Sequence, residues 1–160
     1  MSEFLQGWKR TDYCTSFTLD DVGRDVTLMG WVQTRRDFGA LVFVDLRDRT
    51  GLMQVVFDES VLEGDFDRVN ALRSEYVIAV RGKIVRRDPE TVNEKLPTGF
   101  IELKARELKV LSKAQTPPFE IEDDTAVREE LRLKYRYLDL RRPPMQRNIM
   151  MRSRISAAAR

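Results

Sequence analysis

Histidine is missing from all 160 residues, and cysteine occurs once, as Cys14. Zinc sites and histidine general bases are therefore excluded within the chain. A lone thiol cannot close an internal disulfide, which fits a reducing compartment. No apolar run approaches the roughly 18 residues needed to span a bilayer, and Met1-Ser2-Glu3-Phe4-Leu5-Gln6 lacks the basic-then-apolar order of a signal peptide. The expectation is a cytoplasmic chain with no membrane partner. Net charge is also small, at +2, but it is unevenly spread. Residues 1–124 hold 18 Lys and Arg against 23 Asp and Glu, whereas residues 125–160 hold 10 against 3. Any anion that binds the first part must therefore meet a local basic patch inside a repulsive overall field.

What is present is strand-forming alternation. Three strands are predicted over 24–35, 40–48 and 51–58, a fourth over 76–85 and a fifth over 100–111. Val61, Leu62, Phe66, Val69 and Leu72 stand near helical spacing and predict a helix over 60–73. Thr18 to Gly23 has the pattern of a capped single turn. Five strands with one helix between the third and fourth is the order of an OB-fold barrel. The alternatives are a split sheet with one helix or an open SH3-like barrel, and the position of the single helix favours the OB-fold. Gly30, Gly39, Gly51 and Gly82 stand where small barrels bend or bulge. Residues 112–124, with Pro117-Pro118 and four acids, read as a linker. Helices are predicted over 125–138 and from 145, separated by Arg142-Pro143-Pro144. The last one runs to Arg160 with no glycine cap, which points to a longer parent polypeptide.

In 40–47, Val42, Val44 and Leu46 share one face, and Leu41, Phe43, Asp45 and Arg47 share the other. Phe43 thus projects beside an acid and a base, on the face expected to be wet. An aromatic there is a stacking platform for a nucleobase; the plainer reading is a ring packed under a loop. Gln54 is the one amide in an otherwise apolar strand and is suited to reading a base edge, or is a surface residue of an edge strand. Glu102, on the polar face of the last strand, can accept from a guanine N–H, or is simply exposed. Arg35 and Arg36, with Arg47 and Arg49 across the loop, supply local charge for phosphates. Asp37 and Asp48 are near enough in sequence to neutralise them.

Together, Gly30-Trp31-Val32, Arg35-Arg36-Asp37-Phe38-Gly39, Phe43-Val44-Asp45-Leu46-Arg47-Asp48 and Gly51-Leu52-Met53-Gln54-Val55 resemble the anticodon-binding domain of class IIb aminoacyl-tRNA synthetases. Arg132 to Pro143 resembles the hinge of the bacterial aspartyl type in particular, because lysyl enzymes usually lack Arg-Arg-Pro after the Arg-Tyr-Leu-Asp-Leu core. The resemblance covers about residues 12–160. It implies an OB-fold that takes the tRNA(Asp) anticodon loop, with Phe43 stacking on the middle base and Gln54 reading base edges. By the same resemblance Arg36 contacts from the first loop, Glu102 meets the first base, and Arg35 and Phe38 flank them. Phe38 departs from the family, in which leucine accompanies rejection of tRNA(Asn) and histidine accompanies tolerance.

The resemblance also implies boundaries. Residues 1–16 form an N-terminal extension, 17–111 the OB-fold anticodon-binding domain, 112–143 a linker and hinge, and 144–160 the start of a class II catalytic domain. The family's motifs for ATP, Mg²⁺ and L-aspartate lie beyond residue 160. No catalytic residue, metal or cofactor is therefore expected in this piece, and the full-length ligase is expected to be a homodimer and the fragment a monomer. The alternatives are an asparaginyl or lysyl anticodon domain, or a free-standing module that binds single strands.

Overall fold

The computed structural model describes residues 3–160; Met1 and Ser2, the first residues of the predicted extension, lie outside them. Five strands appear where alternation predicts them: β1 (Asp25–Asp37), β2 (Leu41–Arg47), β3 (Leu52–Asp58), β4 (Val77–Arg86) and β5 (Ile101–Ser112). They close into a barrel in the order β1-β2-β3-β5-β4. Every neighbouring pair is antiparallel except β3 and β5, which run parallel through Val55–Leu103 and Val56–Lys104. Closure removes free sheet edges. It also makes β3 an interior strand, so Gln54 is not the edge residue of the plainer reading.

The alternation does the sorting. Val42, Val44 and Leu46 of β2, Val55 and Phe57 of β3, and Ile78, Val80 and Ile84 of β4 all point inward, fully buried in one core. Two glycines let the strands bend around that core. A Cβ on Gly82 would lie 2.2 Å from the Lys104 carbonyl oxygen, and one on Gly30 would lie 2.3 Å from that of Arg47. The β4–β5 register slips between Arg81 and Gly82, at the closest approach.

The predicted helix over 60–73 is real but shorter. A 3₁₀ turn at Glu63–Asp65 leads into α1 (Phe66–Asn70), and Leu62, Phe66, Val69 and Leu72 are buried as their spacing requires. Packing therefore follows the helical period, while the hydrogen-bonded helix covers only five residues. Gly64 before it and Asn70 at its end are both weak helix formers. The predicted turn after Thr18 is a 3₁₀ turn at Leu19–Asp21 closed by a reciprocal Thr18–Asp21 capping box.

Residues 3–16 are less free than a weakly patterned extension suggests. The Glu3 amide donates to the Val110 carbonyl at 2.9 Å, and that of Thr11 donates to Thr27 at 3.0 Å. Trp8 is buried, with the Arg81 guanidinium 4.2 Å and the Lys109 ammonium 4.9 Å from its ring centre. Cys14 is completely buried, and its amide donates to Asp48 at 2.7 Å. Burial, then the Asp48 charge, pushes the thiol well above its usual range.

Arg47 requires a correction. Its place on the outward face marked it for phosphate contact, but it is only 7% exposed, and its Nη2 donates to both Glu75 oxygens at 2.7 and 2.8 Å. Glu75 sits just before β4 at φ 64° and is equally buried. Burying a guanidinium is tolerable only with such a partner, so Arg47 closes the barrel instead of serving a ligand. Arg49 lies over Tyr13, 4.4 Å from its ring centre. Asp48 bonds to Thr50, Gly51 and Cys14 rather than to an arginine.

The chain divides into two compact units, the first ending at Thr116 and the second spanning Pro117–Arg160. The second has its own small apolar cluster of Phe119, Ile121 and Leu138. The single helix predicted over 125–138 is two short ones, α2 (Glu129–Lys134) and α3 (Arg136–Asp139), broken at Tyr135 where ψ is 47°. Fully buried Asp139, after the break, gathers Arg136 at 2.9 Å, Arg142 at 3.0 Å and Arg132 at 3.8 Å around one carboxylate. Three of the tail's cations are thereby committed to the fold. The last helix, α4 (Pro143–Ala159), starts at the prolines rather than after them, since proline suits the first helical position. No helix among the described residues is long and apolar enough to cross a membrane.

Glu75→Ala should destabilise the chain by about 3–5 kcal/mol, because it strands the buried Arg47 charge. A urea titration checks this, and a loss below 1 kcal/mol would mean that the pair is dispensable.

Candidate nucleic-acid interface

The outward faces of β2 and β3 and the loop 87–100 enclose a cleft of about 680 Å³. Alternation puts Phe43 and Asp45 on that side of β2, and Gln54 reaches it from β3. Phe38, at the tip of the β1–β2 loop and 70% exposed, meets Phe43 edge-on with ring centres 5.5 Å apart. One wall is therefore aromatic.

The floor is a polar network. Arg36 donates from Nη2 to Asp45 at 3.0 Å and to Gln54 Oε1 at 3.1 Å. Gln54 Nε2 donates to Glu102 Oε2 at 2.8 Å, and Thr34 donates its hydroxyl to Asp45. Gln54 is 8% exposed, so its amide orientation is set from both ends. Burial raises the Glu102 pKa, while the Gln54 hydrogen bond and the Arg87 charge pull it back only in part. Of the six residues that the resemblance assigned to the anticodon, four, Arg36, Phe38, Phe43 and Gln54, line the cleft. Glu102 joins them through Gln54.

Arg35 does not. Neighbours on a strand face opposite ways, and Arg35 turns from the cleft to Asp37 at 2.7 Å and Asn70 at 2.9 Å.

Arg87 is the residue that sequence reasoning missed. Its Nε donates to the Ile101 carbonyl at 3.0 Å and lies 4.0 Å from Glu102 Oε2. Its Nη2 is buried at the cleft without a hydrogen-bond partner. Burial holds this guanidinium below its ordinary pKa, opposed by the Glu102 charge. An orphaned buried donor is costly. Thr91, Asn93 and Leu96 complete the wall from the same loop. The loop holds this shape because Asn93 donates its amide to the Gly99 carbonyl at 3.1 Å, and because Thr98 donates to the Leu52 carbonyl at 2.6 Å. Any Cβ at Gly99 would fall 1.7 Å from the Asn93 carbonyl oxygen. That glycine, between a threonine and a strand, was the available signal.

The family model of the tRNA anticodon type, described as an OB-fold nucleic acid binding domain, matches residues 26–111. An aspartate–tRNA(Asp/Asn) ligase of Caldanaerobacter subterraneus subsp. tengcongensis is 57% identical over the whole chain, which covers 27% of that protein. The match falls in its N-terminal part, and the chain spans about a quarter of the length of such relatives. Among solved structures, asparaginyl-tRNA synthetase from Pyrococcus horikoshii is 28% identical at a TM-score of 0.68, over 84% of this chain and 29% of that one. Aspartyl-tRNA synthetase from Entamoeba histolytica, 21% identical at a TM-score of 0.75 over 87% and 34%, shares the fold.

The network makes a titration prediction. The Glu102 carboxyl should titrate above the ordinary glutamate value, and Gln54→Leu should raise it further by removing the amide that favours the charged form. Carboxyl ¹³C NMR reads both values; a Glu102 that titrates normally in both proteins would contradict the buried network.

Proposed function

The chain belongs to the OB-fold nucleic acid binding family of tRNA anticodon domains, and from that premise we propose that it reads the tRNA(Asp) anticodon for an aspartate–tRNA ligase. The observation that carries this reading is the pairing, in one cleft, of an aromatic platform with an amide held rigid on both sides. Phe43 stacks on the middle base. Gln54 keeps a second amide hydrogen and a second lone pair beyond its two intramolecular bonds, so it can pair with a base edge without breaking either. The Oε1 of Glu102 is the acceptor for the N1 and N2 hydrogens of a guanine at the first position. Arg87 in the wall and Arg36 in the floor supply positive charge for base or phosphate oxygens.

The barrel's net charge is negative, so these arginines draw in the strand locally. Arg35 is not among them, because its partners are Asp37 and Asn70. The full ligase activates L-aspartate with ATP, assisted by Mg²⁺, releases pyrophosphate and transfers the aspartyl group to the tRNA. Those steps, and dimerisation, belong to parts of the enzyme outside these residues; within them, 144–160 begins the catalytic domain. The enzyme works in the cytoplasm. The name of the 57%-identical relative includes both tRNA(Asp) and tRNA(Asn). We therefore assign this chain tolerance for GUC and GUU anticodons, which share the two bases met by Glu102 and Phe43.

Binding to labelled stem-loops with GUC, GUU and UUU anticodons, at two salt concentrations, tests the reading. The first two should bind within about threefold of each other and the third more weakly; equal affinity for all three with one steep salt slope would contradict it. Phe43→Ala should cost roughly 1–3 kcal/mol, the worth of one stack. Affinity for GUC should fall on acidification from above the ordinary glutamate range, because protonating Glu102, whose pKa is raised by burial, removes the acceptor. The UUU loop should show no such dependence.

A further inference from the structure

A second cleft, of about 530 Å³, lies beside the first and shares Arg87 and Asn93 with it. Its wall includes Phe100, the residue before β5, which is 41% exposed. Among the described residues no ring or cation contacts the Phe100 ring, and neither the Arg86 nor the Lys95 side chain has a hydrogen-bond or ion-pair partner. Arg86, Arg87 and Lys95 stand against a single carboxylate, Glu94, so the lining is net positive within a net-negative barrel. An exposed ring flanked by unpaired cations is the combination that single-stranded nucleic acid uses, with stacking for the base and charge for its phosphate.

We propose that this cleft is a second base-stacking site, in which Phe100 holds a nucleotide adjacent to those read at Phe43, with Arg86 and Lys95 on its phosphates. The inference rests on the anticodon reading above and extends it beyond the triplet. The shared Arg87 and Asn93 make the two clefts consecutive stops along one strand. Arg87 lines both clefts and contributes its charge to each.

The test measures binding of the 160-residue chain to the GUC stem-loop and to versions with one abasic nucleotide at each loop position outside the triplet. Phe100→Ala should weaken the intact loop roughly fivefold or more, the lower end of one base stack. One abasic loop should bind the wild type and Phe100→Ala equally, which locates the stacked base. Because Phe100 is exposed, Phe100→Ala should leave the urea midpoint unchanged. Arg86→Ala with Lys95→Ala, which needs no change at the ring, should lower the salt slope by about one to two. Unchanged binding by Phe100→Ala alongside weakened binding by Phe43→Ala would overturn the second site and leave the anticodon reading standing. Unchanged binding by both variants would overturn the two together.

Discussion

The parallel pairing of β3 with β5 is the constraint on which the rest depends. Only two residue pairs define it, Val55–Leu103 and Val56–Lys104, yet it closes the barrel and turns β3 into an interior strand. With that register, Gln54 comes within 2.8 Å of Glu102, a residue 48 positions away. Without it, Gln54 would lie on an exposed edge with its amide held by Arg36 alone, and Glu102 would be one more surface acid. The same closure brings the end of β4 and the start of β5 together, so that Arg87 bonds to Ile101 and the intervening loop folds back over the cleft. Fold and site therefore rest on a single pairing.

Charge in this molecule is mostly committed to structure. Arg47 is paired with Glu75 behind the barrel wall, and Arg132, Arg136 and Arg142 surround Asp139 in the second unit. Arg49 stacks on Tyr13, and Arg81 on Trp8. Around the two adjoining clefts stand Arg36, Arg87, Arg86 and Lys95, of which Arg86 and Lys95 have no ion-pair partner among the described residues. In a barrel whose acids slightly outnumber its bases, these four cations give nucleic acid a local positive patch. The price is the buried Arg87, whose one unsatisfied nitrogen is tolerated next to a half-buried glutamate.

Much of this was legible before any coordinates. Period-two alternation located all five strands to within two residues, because each has one face in the core. The same alternation put Phe43 outside, and chemical oddity marked Gln54 in its apolar strand. Three things were not legible. The Arg47–Glu75 pair joins residues far apart in sequence, one of them in a left-handed backbone conformation, and nothing local announces it. The loop 87–100 has no periodicity, so Arg87, Thr91 and Asn93 looked like ordinary polar loop residues. Tyr135 breaks a helical pattern that is continuous in the sequence, and no residue near it signals the break.

The central claim is that anticodon bases occupy the cleft between Phe43 and the Gln54–Glu102 network. Amide and side-chain chemical-shift mapping of the chain, titrated with an unlabelled GUC stem-loop, addresses it most directly. The account predicts saturable shifts concentrated at Phe38, Phe43, Gln54, Arg87 and Glu102, with intermolecular contacts from the Phe43 ring to a base. Shifts confined to the exposed arginines of Pro143–Ala159, with the cleft silent, would contradict it.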